Sequence, residues 1–275
     1  MSGKLYIVGT PIGNLGDMSP RGVETLEKVD FIAAEDTRVT VKLLNHFGVK
    51  TPMVSYHEHN QRERGEEIVA RLLSGETAAI VTDAGMPAVS DPGRELVKLC
   101  HEKGVSVETV PGPTALITAL ALSGFDSGRF CFEGFLSVNK PRRAEHLQSL
   151  EKETRTMIFY EAPHKLMNTL KDMKEIFGNR GIAFAKELTK LHENIFITTI
   201  DSAIEHFEAN PPKGEFVLVV EGCAEEAEEE MTFEQAVALA LEIKESGQPA
   251  SAAASRAAKI SGFKKSDIYS ELAKR

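Results

Sequence analysis

The sequence predicts an α/β protein: two α/β domains followed by a small helical C-terminal module. Three observations carry this. Strand-like and helix-like runs alternate five times in roughly the first 120 residues, the pattern of a mostly parallel sheet with helices on its faces. The glycine-rich and polar clusters all follow strands, so they gather along one edge of that sheet. Past residue 122 the strands become denser and two neighbours are joined by short links, which predicts a second, mixed sheet. The expected divisions are 1–122, 123–224 and 225–275.

In the first domain, residues 4–9 are a short apolar strand that breaks into TPIGNLGDMS. Ser19 and Pro20 suit an N-cap and a first helical position, and Val23, Leu26 and Val29 supply that helix with a buried stripe. Strands at 30–35 and 52–56 flank a helix at 40–47 closed by Gly48. A charged amphipathic helix at 61–74 ends at Gly75, and the strand at 78–81 leads to a helix at 94–103. A strand at 105–110, the turn Pro111-Gly112-Pro113-Thr114 and a small-residue helix to Leu122 complete the domain.

Residues 123–127 read as a hinge. The second domain has strands at 129–135, 156–160, 182–186, 195–200 and 214–220. Its helices are expected at 140–150, from the EAPHK segment to Phe177, and at 201–209. The acidic run 225–230 has no apolar stripe and reads as a linker. Three short helices follow at 232–246, 249–261 and 264–275, the first with Phe233, Ala236, Val237, Ala240, Leu241 and Ile243 on one face. This tail suits a helix-turn-helix-like module or a packing and dimerisation element.

Composition narrows the setting. No apolar run approaches the ~20 residues needed to span a bilayer, and the chain enters its first strand without a signal-peptide core, so a cytoplasmic protein is expected. Three widely spaced cysteines fit reduced core positions better than a disulfide framework or a zinc site. A net charge of −9 argues against broad affinity for nucleic acid but leaves room for local basic surfaces. The spacing Gly9-x-x-x-Gly13-x-x-Gly16 misses the dinucleotide fingerprint.

The stretch VTDAGMPAVSDPG at 81–93 stands out. Gly85 and Gly93 permit positive φ or a close backbone approach, while Pro87 and Pro92 stiffen the turn. A stiff loop at the carboxyl end of a strand is where open α/β folds bind ligands.

TPIGNLGD at 10–17, AAEDTR at 33–38, this stretch, VPGPTA at 110–115, FCFEGF at 130–135, IFYEAPHK at 158–165 and KELTK at 186–190 occur in that order. With these motifs the chain resembles the ribosomal-RNA-modifying branch of the tetrapyrrole-methylase-like (class III) S-adenosylmethionine-dependent methyltransferases. The resemblance covers residues 4–222 and implies two α/β domains with the cofactor, S-adenosylmethionine, in the cleft between them. It also implies a homodimer and 2′-O-methylation of a cytidine in the decoding region of 16S rRNA. Acidic overall charge with local basic clusters suits action on an assembled particle, so the 30S subunit is the expected partner. It carries cofactor contacts onto Ile12, Ala84, Gly85, Met86, Val89, Ser90, Thr114, Ala115, Tyr160, Glu161, Leu188 and Thr189. Where related methylases have a GGDP-type turn, this chain has Ala84-Gly85-Met86-Pro87. Methionine cannot accept as a carboxylate does, so that role passes to main-chain carbonyls, Asp83 or Asp91. TPIGNLGD in place of the GxGPGD of tetrapyrrole enzymes favours an RNA substrate.

Methyl transfer to a ribose hydroxyl needs in-line geometry and a group that handles the hydroxyl proton. The polar residues just past strand ends supply candidates, of which Glu35, Glu58 and Lys186 are favoured; a helix cap or ion pair is the alternative role of each. His57 and His59 face opposite ways on an extended segment, so no metal is expected. Arg38 is expected to grip RNA phosphate, with Arg62, Arg64, Arg142, Arg143 and Lys190 adding positive charge around the cleft mouth. Two alternatives stay open: a tetrapyrrole C-methyltransferase, and a non-catalytic RNA-binding ribosome assembly factor.

Overall fold

The computed structural model describes residues 3–224 and 231–274. The chain forms two compact units, Met1–Cys223 and Ala224–Arg275. The run 225–230, expected as a linker, lies outside the described residues.

The first sheet contains β1 (Lys4–Val8), β2 (Phe31–Ala34), β3 (Met53–Ser55), β4 (Ala78–Val81) and β5 (Ser106–Val110). All pairings are parallel, in the order β3-β2-β4-β1-β5. β2 and β4 are buried at every residue, as central strands covered on both faces must be. Helices α1 (Pro20–Lys28) and α2 (Thr37–Phe47) cover one face, where Leu26 and Leu44 meet Val8, Ile32 and Val81. Helices α3 (Gln61–Leu73) and α4 (Arg94–Glu102) cover the other, where Ile68 and Leu96 meet Leu5, Phe31 and Ile80. Neighbouring strands β1 and β4 thus send their chains to opposite faces. This is the topological switch at which a crevice opens beyond the strand ends.

The second sheet is mixed: β6 (Phe130–Phe135), β7 (Thr156–Glu161), β10 (Phe216–Val220), β8 (Gly181–Lys186) and β9 (Asn194–Thr199), in that order across the sheet. Only β6 and β7 run parallel. Helices α6 (Lys140–Ser149), α7 (Pro163–Phe177) and α8 (Ile200–Ala209) cover one face through Leu147, Leu170 and Phe207. The opposite face is covered by α5 (Ala115–Ser123), whose Leu116, Ala119 and Leu120 pack on Ile158, Ala183, Val217 and Val219. Here the structure differs from the expected division at 122. The sequence ALITALALS is apolar all round, so it shows no stripe that assigns it to a sheet. It continues the first domain in sequence but joins the second in packing.

The tail holds α9 (Phe233–Glu245), α10 (Ala250–Ser261) and α11 (Lys265–Leu272) around Ala236, Ala240, Ala254, Ala257, Ile268 and Leu272. Thr232 and Gln235 form a reciprocal capping box on α9. No helix among the described residues is long and apolar enough to cross a membrane.

Candidate active site

The loops after β1 and β4 are pinned to one another. The Thr10 amide donates to the Gly85 carbonyl at 2.9 Å, the Gly85 amide returns to the Thr10 carbonyl at 3.0 Å, and the Thr10 hydroxyl donates to the Thr82 carbonyl at 3.1 Å. Gly85 takes φ +82°, and Gly93 takes +138° at the start of α4. Met86, standing where related turns carry aspartate, accepts a hydrogen bond from the Gly112 amide on its sulfur at 3.3 Å. A methyl at Gly9 would meet that sulfur at 2.6 Å and the Gly112 backbone at 2.7 Å, so the β1 and β5 loops close on each other only as glycines.

The facing wall comes from the second sheet, chiefly the turn after β8. Among the described residues the non-glycine residues with positive φ are Ala88, Ser90, Glu187 and Thr189. Two lie in the β4 loop and two in the β8 loop, each pair spaced by one residue. Such positions carry roughly 1–3 kcal/mol of strain each and cluster at ligand clamps. The β8 turn is fixed from within: Glu193 accepts from the Thr189 amide at 2.7 Å and Lys190 pairs with Glu187 at 3.1 Å. A methyl at Gly13 would meet the Leu188 carbonyl at 2.8 Å, so the two walls touch there.

Between the walls lies a cleft of about 570 Å³. Its first-domain side carries three carboxylates, Glu35, Asp83 and Asp91. Asp83 accepts from the Asp36 amide and Glu35 from the Asp83 amide, each at 3.3 Å, a reciprocal tie between the ends of β2 and β4. Burial pushes Glu35 above the usual carboxylate range, and the nearby Asp83, Glu58 and Asp36 charges add to it. Burial also raises Asp83, with a contribution from Asp36. Asp91 is pushed up to about 6, first by burial and then by the Glu35 and Asp83 charges. Like charges crowded into a half-buried wall hold protons toward neutrality. Among the described residues no group of three or more His, Cys, Asp or Glu is placed to hold a metal ion.

Most residues singled out in the sequence meet in this cleft. Ile12, Ala84, Gly85, Met86, Val89 and Ser90 line it from the first sheet's loops, and Thr114 and Ala115 from the start of α5. Tyr160, Glu161 and Leu188 line it from the second sheet, with Glu35, Lys186 and Lys190. Thr189, also expected to contact the cofactor, is not among the lining residues; its buried hydroxyl lacks a protein partner. The Glu161 carboxylate is committed to its own domain, to Lys165 at 3.0 Å, the Ala162 amide at 2.9 Å and the Thr169 hydroxyl. In the sequence Asp91 stands only as a possible hydrogen-bond acceptor for the cofactor; its raised affinity for a proton comes from burial, with the charges of Asp83 in the same loop and of Glu35, distant in sequence, adding to it.

Two further expected sites differ, Glu58 and Arg143. Glu58 lies outside the cleft lining, exposed and beside His59 at 3.4 Å. Arg143 is 6% exposed and cannot reach RNA phosphate: it pairs with Asp172 at 2.7 Å and donates to the Ser137 and Val138 carbonyls. Adjacent helical positions point about 100° apart, so Arg142 is exposed while Arg143 is turned inward. Arg38 is exposed, but its guanidinium is held by Asp36, whose carboxyl it lowers to about 2. Arg62 is exposed, and Arg64 is exposed but paired with Glu67 at 2.5 Å.

The cleft fits a mid-sized cationic cofactor. Its volume lies in the range of cofactor sites, and its walls mix apolar side chains with main chain and carboxylates. The family model described as Tetrapyrrole (Corrin/Porphyrin) Methylases matches residues 4–204. This chain belongs to that family of S-adenosylmethionine-dependent methyltransferases. Among its relatives is a "Ribosomal RNA small subunit methyltransferase I" from Synechocystis sp., 54% identical over 82% of this chain and 81% of the relative. Proteins of the same name from Thermotoga maritima (50% identical, 80% of this chain, 99% of the relative) and Haemophilus influenzae (44%, 98% and 96%) also match. Among solved structures, a uroporphyrin-III-C-methyltransferase from Thermus thermophilus superposes with a TM-score of 0.57 at 19% identity, covering 80% of this chain and 94% of that one. A diphthine synthase does so with a TM-score of 0.61 at 13% identity, covering 80% and 90%. These two share the fold.

Proposed function

We propose that this chain transfers a methyl group from S-adenosylmethionine to the 2′-hydroxyl of a cytidine in the decoding region of 16S rRNA, acting on the assembled 30S subunit as a cytoplasmic homodimer. The observation that carries the reading is the carboxylate wall of the cleft, set opposite Lys186 between two strained main-chain loops. The RNA substrate is supported by the names of the relatives, two of which match along almost the whole chain or almost their own whole length.

When bound, S-adenosylmethionine supplies an electrophilic methyl and leaves as a neutral thioether. The residues of this chain do the rest. The β4 and β8 loops hold the donor through main chain, and Glu35 and Asp83 favour its positive charge. Asp91, ionised at neutral pH yet basic for a carboxylate, accepts the hydroxyl proton as the carbon–oxygen bond forms. Lys186 stabilises the developing oxyanion from the opposite wall. Exposed Arg62 and Arg142 neutralise phosphates at the periphery.

The test is methyl transfer from labelled S-adenosylmethionine to 30S subunits, naked 16S RNA fragments and uroporphyrinogen, followed by nucleoside mass spectrometry. The expected product is 2′-O-methylcytidine, formed best on 30S. Label on a base or on uroporphyrinogen contradicts the reading, and no label on any substrate leaves the assembly-factor alternative in its place.

A further inference from the structure

We propose that Phe135 is a stacking platform for the nucleobase of the methylated nucleotide, positioning its ribose in the cleft; this rests on the RNA reading above. Phe135 lines the cleft with 54% of its surface exposed, an unusual position for a phenylalanine at the end of a paired strand. Its orientation is the product of a bulge. β6 pairs with β7 in regular register as far as Phe132–Ile158, then slips one residue, so that Gly134 pairs with Phe159 and Phe135 with Tyr160. Continued without the slip, the ladder would set Phe135 opposite Glu161, on the face where Phe159 is buried in the main core. A one-residue shift exchanges the faces of a strand, and here it turns the ring from the core side to the cleft side.

The shift requires Gly134 at φ +65°, where a side chain would be strained. The ring is then fixed from behind. Tyr160 stands 5.3 Å away centroid to centroid, and the Lys165 ammonium, itself held by Glu161 and the Leu136 carbonyl, lies 5.6 Å from the ring centre. A rigid, partly open aromatic face beside a methyl-transfer cleft matches what a splayed-out base needs. Bringing a ribose hydroxyl into a cleft takes its base out of the RNA stack, and stacking on an aromatic ring replaces the lost contact whatever the base.

The experiment compares wild type with Phe135→Ala, Phe135→Leu and Phe135→Trp on 30S subunits, with S-adenosylmethionine affinity measured by calorimetry. Alanine and leucine are expected to raise KM for 30S about tenfold or more, tryptophan to stay within about threefold, and cofactor affinity to hold in all three. Leucine performing as well as tryptophan would reduce Phe135 to an apolar filler and overturn the proposal. So would loss of cofactor affinity with KM for 30S unchanged, which assigns the ring to the donor's adenine. Wild type failing to methylate RNA at all is a different result: it removes the functional reading, and this proposal falls with it.

Discussion

Asp91 and Arg143 show how environment, not residue type, sets a role. Asp91 is displaced upward to about 6 because burial and two neighbouring carboxylates disfavour its charge. Its deprotonated form is the active one, so the wild-type rate should rise with pH up to about 6 and level off above it. Asp91→Asn is expected to lower kcat by about 10²–10⁴-fold with cofactor affinity nearly unchanged. Stability should move the other way. Between the ordinary carboxylate value and about 6 the folded state binds more protons than the unfolded state, so stability falls as pH rises through that window. At pH 7.5 the asparagine variant should therefore melt higher, by on the order of 2–4 °C once solvent screening is allowed for. A variant with full activity and a lower Tm would remove Asp91 from the reaction. Arg143 presents the converse case. Arg143→Ala strands the buried Asp172 carboxylate and should cost about 3–5 kcal/mol in denaturant unfolding. Arg142→Ala should leave stability unchanged and weaken RNA binding.

The loops after β4 and β8 hold alternate residues in the left-handed region, and that geometry shapes one wall of the cleft from each sheet. Ser90→Gly relieves the strain of one such residue, a gain of about 1–2 kcal/mol, offset in part by glycine's freedom in the unfolded chain. The expected result is equal or slightly higher stability with weaker cofactor binding, measured by thermal melting and calorimetry on the same sample. The strands and most helices were legible because apolar periodicity and capping residues mark them; Ser19-Pro20 opens α1 and Gly48 closes α2, as read. What was not legible depends on partners far along the chain. Helix α2 starts at Thr37, three residues earlier than expected, because Asp36 caps it as well as ending the polar AAED segment. The 3-10 turn at Leu15–Asp17 is too short to leave a periodic signal. The burial of Arg143 depends on Asp172, and the β6 bulge on a register that exists only once β7 is paired. Many of the residues that the motifs pick out line the cleft, in contrast, since most of those motifs run past strand ends.

At the scale of the whole molecule, the two units have separate cores. A chain ending at Cys223 is therefore expected to fold and to bind S-adenosylmethionine like the full chain, as circular dichroism and calorimetry would show; an unfolded or non-binding fragment contradicts this. The net charge of −9 keeps nonspecific RNA affinity low, so individual exposed cations matter. Neutralising Arg62 or Arg142 should each reduce the log–log salt slope of RNA binding by about 0.7. The central claim is that the strained loops after β4 and β8 hold the methyl donor between the sheets, facing Asp91. A crystal structure with S-adenosylhomocysteine tests it most directly. The sulfur is expected between Gly85 and Leu188 with its open side toward Asp91; a product molecule seated elsewhere, or one turned so that its sulfur faces away from the carboxylates, would contradict the account.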